Sequence, residues 1–148
     1  MATERPVPSI LFELHSANGA VAAFVTRRMI AEGINPNLLY VLWLIDSHAP
    51  ITPTELAVEG SYPPTTVRDF VNTLVERRLV RRVENKADRR SHHLEPTEQG
   101  RRHIESAAPI LRGVERDLDK ALGEPLSSWR ARLRDLRRAA REFDPTGD

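Results

Sequence analysis

Arg68 and Asn72 stand four residues apart, a spacing that places both on one side of a helix. Arginine and asparagine are the side chains whose edges match guanine and adenine in a DNA major groove. Thr65, Thr66 and Asp69 share that polar side, opposite the apolar stripe Val67, Phe70, Val71 and Leu74. Further on, Lys86, Arg89 and Arg90 surround Asp88. A carboxylate among cations is suited to hold a guanidinium in a bidentate pair and so to order a loop before it meets a phosphate backbone. Arg77, Arg81 and Arg82 fall between the two groups, either as phosphate contacts or as partners of Glu76 and Glu84. Polar residues opposite an apolar stripe also describe a merely solvated helix face, and the neighbouring elements must decide between the two.

Charge distribution favours a polyanion surface. Residues 64–103 carry ten basic and six acidic side chains, while residues 1–63 are net −3 and residues 104–148 are neutral, all within a chain of 148 residues and formal charge +1. A basic segment inside a near-neutral chain suits a nucleic-acid contact. The chain has no cysteine, which excludes disulfides, thiolate metal sites and thiol-based redox sensing. His92 and His93 are neighbours on an expected strand and point to opposite faces. A site completed by Glu95, His103 or Glu105 is therefore disfavoured, and no metal or cofactor is expected. No acid/base pair or glycine-rich phosphate loop suggests an enzyme. No apolar run approaches a membrane span and residues 1–9 lack the apolar core of a signal peptide, so a cytoplasmic protein is expected.

The elements that must position these residues follow from periodicity. Ile10, Leu11, Leu14, Ala17, Val21, Phe24, Val25 and Met29 predict one amphipathic helix, ended by Gly33. Asn35 and Pro36 open a second, apolar nearly all round over residues 38–45 and therefore expected to be buried, Tyr40 and Trp43 included. Thr52, Pro53 and Glu55 form a capping box that opens a short third helix, broken at residues 60–64. A fourth runs from Pro64 to about Arg78. Strands at residues 79–83 and 91–94 flank a polar loop, and a hairpin directly after a helix-turn-helix is a wing. Thr97, Glu98 and Gly100 open a long helix that Pro109 should kink. Last comes a heptad seam of Leu126, Trp129, Leu133, Leu136, Ala140 and Phe143. Such a seam needs a partner, either the first helix of the same chain or, the reading favoured here, a second copy. The expected architecture is a mainly α (α+β) winged helix-turn-helix over residues 36–97, with terminal dimerisation helices at 8–32 and 98–144.

The stretch Asp88-Arg89-Arg90-Ser91-His92-His93-Leu94-Glu95-Pro96-Thr97-Glu98-Gln99-Gly100 resembles the wing-to-helix signature of the multiple antibiotic resistance regulator (MarR) family. Asp88, Arg90, Thr97 and Gly100 match it and Pro96 replaces the usual leucine. Leu56-Ala57, Thr66-Val67, Leu74-Val75-Glu76 and Leu79-Val80-Arg81 are similar to the family's helix-turn-helix. Three departures stand out: Pro63 and Pro64 where a capping Ser or Thr is usual, Asp69 where a basic or neutral contact is common, and Arg78 in place of a helix-ending glycine.

The resemblance implies a homodimeric regulator that binds a pseudo-palindromic double-stranded DNA operator, most simply a repressor. The wing would enter the minor groove with Arg90 or its neighbour inserted and Asp88 ordering it. It also implies a small, often aromatic or phenolic ligand near His15, Tyr40, Trp43 and Arg112, residues for which, taken singly, packing and surface solvation are the more ordinary roles. A winged-helix protein-interaction module with an acidic partner is the rival reading, favoured by Asp69 and the two prolines.

Overall fold

The computed structural model of the chain describes residues 9–143, so residues 8 and 144, the outer bounds expected for the helical dimerisation region, lie outside the described residues. The elements are α1 (Ile10–Ile30), α2 (Pro36–His48), α3 (Pro53–Gly60), α4 (Pro64–Glu76), β1 (Val80–Glu84), β2 (His92–Pro96), α5 (Glu98–Leu122), a 3₁₀ turn (Leu126–Trp129) and α6 (Arg130–Glu142). Within α5 the chain divides into two compact units, one up to Ile110 and one from Leu111. This is the winged-helix architecture expected from the sequence.

Local chemistry explains the helix starts. Asn35 Oδ1 accepts hydrogen bonds from the Asn37 and Leu38 amides at 3.0 and 3.1 Å, satisfying two donors that have no intrahelical partner at the head of α2. The capping box of α3 is complete: the Thr52 amide donates to Glu55 Oε2 at 2.8 Å and the Glu55 amide to Thr52 Oγ1 at 3.2 Å. The Thr52 amide first, and second the Thr52 hydroxyl, which donates to the same Oε2 at 2.8 Å, hold the Glu55 carboxyl below the usual carboxylate range. Gly33, at φ +71°, turns the chain out of α1 while the Ile34 amide reaches back to the Met29 carbonyl at 3.0 Å.

In the first unit, Leu42 and Ile45 of α2, Leu56 of α3, Leu74 of α4 and Leu94 of β2 are fully buried in one cluster. Met29, Ile34, Leu39 and Ala107 form a second cluster joining α1, α2 and α5. The hairpin pairs Val80 with Pro96 through to Glu84 with His92; both strands start one residue later than the sequence suggested, and the second ends two residues later. A bridge between Ile51 and Leu94 adds a third edge, with the Leu94 amide donating to the Ile51 carbonyl at 2.7 Å. That bridge fixes the wing to the segment before α3.

Some expectations need correction. Tyr40 and Trp43 are 38% and 45% exposed, because the covered positions of α2 (Leu38, Leu39, Val41, Leu42, Leu44, Ile45) leave these two, three residues apart, at the fringe. The break after α3 falls within the expected residues 60–64, at Ser61, whose φ of +53° is left-handed. Gly60 remains helical, and a Cβ there would run into the Tyr62 ring. The last helix begins as a 3₁₀ turn, whereas Pro109 lies inside α5 as expected.

The end of α4 carries the most constrained backbone. The Leu79 amide donates to the Leu74 carbonyl and the Arg78 amide to the Val75 carbonyl, both at 2.9 Å, the Schellman pattern that normally needs glycine at its left-handed position. Here that position is Arg78, at φ +58°. Thr97 secures it: its hydroxyl donates to the Arg78 carbonyl at 2.7 Å, its amide donates to the Leu79 carbonyl at 2.9 Å, and its Oγ1 accepts from the Gly100 amide at 3.0 Å. A Cβ on Gly100 would collide with the Leu79 carbonyl.

Two substitutions test this junction. Arg78→Gly removes a left-handed strain of ~1–2 kcal/mol per residue at a smaller entropic cost, so the urea midpoint should rise by the equivalent of about 1 kcal/mol. Gly100→Ala should lower it, by about 1–3 kcal/mol in the range of overpacked sites.

Candidate nucleic-acid interface

Every residue singled out for DNA contact lies in the first unit. Thr65, Arg68 and Asn72 are exposed on α4, with Thr66 half-buried beside them. Val67, Val71 and Leu74 seat the opposite side of the helix in the core, so the polar face is turned outward by burial of the apolar one. No side chain caps the head of α4, whose N-cap and first helical position are Pro63 and Pro64. Proline has no amide proton, so two of the four donors that a helix N-terminus usually offers an anion are missing, and Thr65 and Thr66 supply the other two.

The hairpin tip is ordered differently from the expectation. Asp88 Oδ1 accepts from the Arg90 amide at 3.0 Å, and among the described residues no guanidinium lies within ion-pair distance of it. A short carboxylate–amide bond closes an Asx turn within the loop, which a long arginine side chain has no need to complete. Asn85, missed in the sequence reading, is the loop's other organiser. Only 7% exposed, it accepts at Oδ1 from the Ala87 and Asp88 amides at 3.0 and 3.3 Å and donates from Nδ2 to Ser91 Oγ at 2.8 Å. An Asn directly after a β-branched strand and before Lys-Ala-Asp was the available signal.

The arginines sort into two groups. Arg81 pairs with Glu95, its direct cross-strand neighbour, with Nη2 2.7 Å from Oε2. Arg82 donates from Nη2 to Asn72 Oδ1 at 2.7 Å and from Nε to His92 Nε2 at 3.2 Å. Neither uses Glu76 or Glu84, the partners suggested by sequence proximity, because cross-strand pairing brings Glu95 and His92 nearer. Arg68, Lys86, Arg89 and Arg90 are exposed and, among the described residues, make no ion pair. Four unpaired cations on one helix and the adjoining loop tip leave charge available to an external polyanion.

The ligand candidates are scattered. Tyr40 and Trp43 stack with centroids 6.0 Å apart and planes at 22°. Tyr40 meets Tyr62 edge-on at 6.4 Å, and Tyr62 meets Phe70 of α4 at 5.6 Å. Burial, with a smaller contribution from Tyr40, raises the Tyr62 hydroxyl above the ordinary tyrosine range. His15 is exposed on α1, and Arg112, also exposed, belongs to the second unit.

Residues 32–91 match the sequence model of the MarR family. No curated protein matches. Among solved structures, wild-type MarR from E. coli is 20% identical over 89% of this chain and 98% of that one, with a TM-score of 0.76. The M. tuberculosis regulator MosR, solved with DNA, is 22% identical over 91% of this chain and 98% of its own, with a TM-score of 0.73. Bordetella bronchiseptica BpsR, whose DNA binding is regulated by 6-hydroxynicotinic acid, is 17% identical over 97% of this chain and 100% of its own, with a TM-score of 0.76.

One pH-dependent measurement checks the wing geometry. Burial first, and the Arg82 charge second, hold His92 below the ordinary histidine value. Arg82 Nε is a donor, so the contact needs a neutral ring with its lone pair on Nε2. The stabilisation is therefore complete above the ordinary histidine pKa of ~6.5 and is lost as pH falls through the depressed value. An NMR titration should give His92 a midpoint below that of a free histidine, and Arg82→Leu should move it part of the way back, with burial holding the remainder. Over its winged lobe, residues 32–91, the chain is similar in sequence to the MarR family.

Proposed function

We propose that this protein is a homodimeric, sequence-specific double-stranded-DNA-binding transcriptional regulator, a repressor released by a small aromatic ligand. The observation that carries the proposal is the set of unpaired cations Arg68, Lys86, Arg89 and Arg90 on α4 and the wing tip, beside arginines that are internally paired. The DNA complex of MosR supports the choice of polyanion. Arg68, Thr65, Thr66 and Asn72 face a major groove, while Lys86, Arg89 and Arg90 reach the adjoining minor groove and phosphates on a loop pre-ordered by Asp88.

Dimerisation is supported by apolar side chains left uncovered in the single chain: Ile10, Leu11 and Phe12 of α1 at 70%, 67% and 69% exposure, and Leu133 and Leu136 of α6 at 53% and 46%. Two recognition helices held ~34–36 Å apart meet successive major grooves of a palindrome, and a ligand that alters their separation spoils simultaneous docking. BpsR, regulated by 6-hydroxynicotinic acid, supports an aromatic effector, and the stacked, half-exposed Tyr40 and Trp43 are the aromatic surface proposed to meet it.

The competing module reading rests on Asp69, an exposed acid on the reading face. Anisotropy titrations at two salt concentrations separate the two, since only DNA binding loses affinity steeply with salt. On an operator selected from random duplexes, Arg68→Ala should cost ~1–3 kcal/mol and relax one position per half-site. Arg90→Ala should weaken operator and random duplex alike and lower the salt slope by about one. Asp88→Ala should also weaken binding although it removes a negative charge, and tighter binding would refute the ordering role.

For the dimer, Leu133 and Leu136 both replaced by Asp should yield unfolded or aggregated chain on sizing with light scattering, because two carboxylates would enter a desolvated seam. A folded monomeric double variant would overturn it.

A further inference from the structure

Asn72 is bound within its own chain in a way that restricts what it can offer DNA. Arg82 Nη2 lies 2.7 Å from Asn72 Oδ1. A guanidinium has donors and no acceptor, so the atom it meets must be the amide oxygen, and the orientation of the amide follows from chemistry rather than from choice. Arg82 is itself held from the other side, its Nε donating to His92 Nε2 at 3.2 Å. It projects from β1 and His92 from β2, so a paired hairpin carries the guanidinium to the recognition helix. Asn72 is exposed, which leaves its NH₂ group directed to solvent with both protons available.

An unrestrained asparagine reads adenine through two bonds, its oxygen accepting from N6 and its NH₂ donating to N7. With the oxygen turned toward Arg82 on β1 and one of its two lone pairs engaged there, the amide presents its two donors outward. Guanine offers two neighbouring major-groove acceptors, O6 and N7, whereas adenine offers N7 beside an amine that repels a second donor.

We propose that Arg82 is a specificity-positioning residue: by holding Asn72 Oδ1 it converts Asn72 from an adenine reader into a donor-only reader, so that the base pair under Asn72 in each half-site is selected as guanine. The inference rests on the DNA-binding reading above and deepens it by naming the base.

The experiment is a selection of bound duplexes from a randomised library with the full-length protein and three variants. Asn72→Ala identifies the half-site position, the one whose preference flattens. At that position the wild type should favour guanine over adenine by on the order of tenfold, within the range of a good side-chain–base pair. Arg82→Leu frees the amide and should move the preference to adenine. The charge lost with it weakens all sequences alike and leaves a normalised profile unaffected. Asn72→Asp keeps the tie to Arg82 but turns the outward group into an acceptor, so the preference should move to cytosine, whose N4 amine donates.

Adenine preferred by the wild type, a profile unchanged in Arg82→Leu, or no position flattened by Asn72→Ala would each overturn the proposal while leaving DNA binding intact. Failure of the wild type to enrich any duplex would overturn both. The free protein gives an independent reading: the ¹³C resonance of the Asn72 side-chain carbonyl should shift in Arg82→Leu, and an unmoved resonance would overturn the tie itself.

Discussion

The Thr97 hydroxyl is the interaction on which the rest of the winged lobe depends. Donating to the Arg78 carbonyl and accepting from the Gly100 amide, it joins three things at one point: the end of α4, the start of the wing and the first turn of α5. Were that junction loose, the recognition helix and the hairpin would each remain attached to the core but would lose their fixed relation. The spacing Thr97 to Gly100 follows directly. Threonine is needed for a short hydroxyl reach to the main chain, and glycine because the Leu79 carbonyl occupies the space of a Cβ. The left-handed Arg78 persists because that clamp and two helix-ending amide bonds over-determine it.

Electrostatic pairing divides the basic segment by task. Arg81 and Arg82 belong to the fold, one bonded across the sheet and the other linking sheet to helix. Among the described residues Arg68, Lys86, Arg89 and Arg90 make no ion pair, while Glu95 is engaged by Arg81 and Asp88 accepts from a backbone amide.

Much of this was legible in the residues. The capping box at Thr52 and Glu55, the Asn35-Pro36 start of α2 and the hairpin all follow from local rules that tertiary packing did not override, whereas the left-handed Arg78 is held against local preference by Thr97, nineteen residues on. What the sequence hid were contacts whose distance along the chain is large and whose register is not local. The links from Asn72 to Arg82 and from Ile51 to Leu94 depend on where a strand docks, and a one-residue change of register would have removed both. Tyr40 and Trp43 misled for another reason. An all-apolar helix segment reads as buried on every side, whereas α2 is covered only in part, so the two rings that reach the fringe stack on each other and stay half in solvent.

Pro63 and Pro64 set the thermodynamic character of any docking event at the head of α4. A serine or threonine entrance would trade water for phosphate hydrogen bonds, a gain in enthalpy, but would have to freeze a mobile turn to do so. Two prolines fix their own φ angles in advance, so the unliganded entrance already has little conformational freedom to surrender. Fewer bonds are formed and less disorder is lost. On the DNA-binding reading proposed above, docking of this helix would be shifted toward a smaller heat of association and a smaller entropic penalty, with affinity drawn from rigidity where a hydroxyl-capped helix would draw it from contacts.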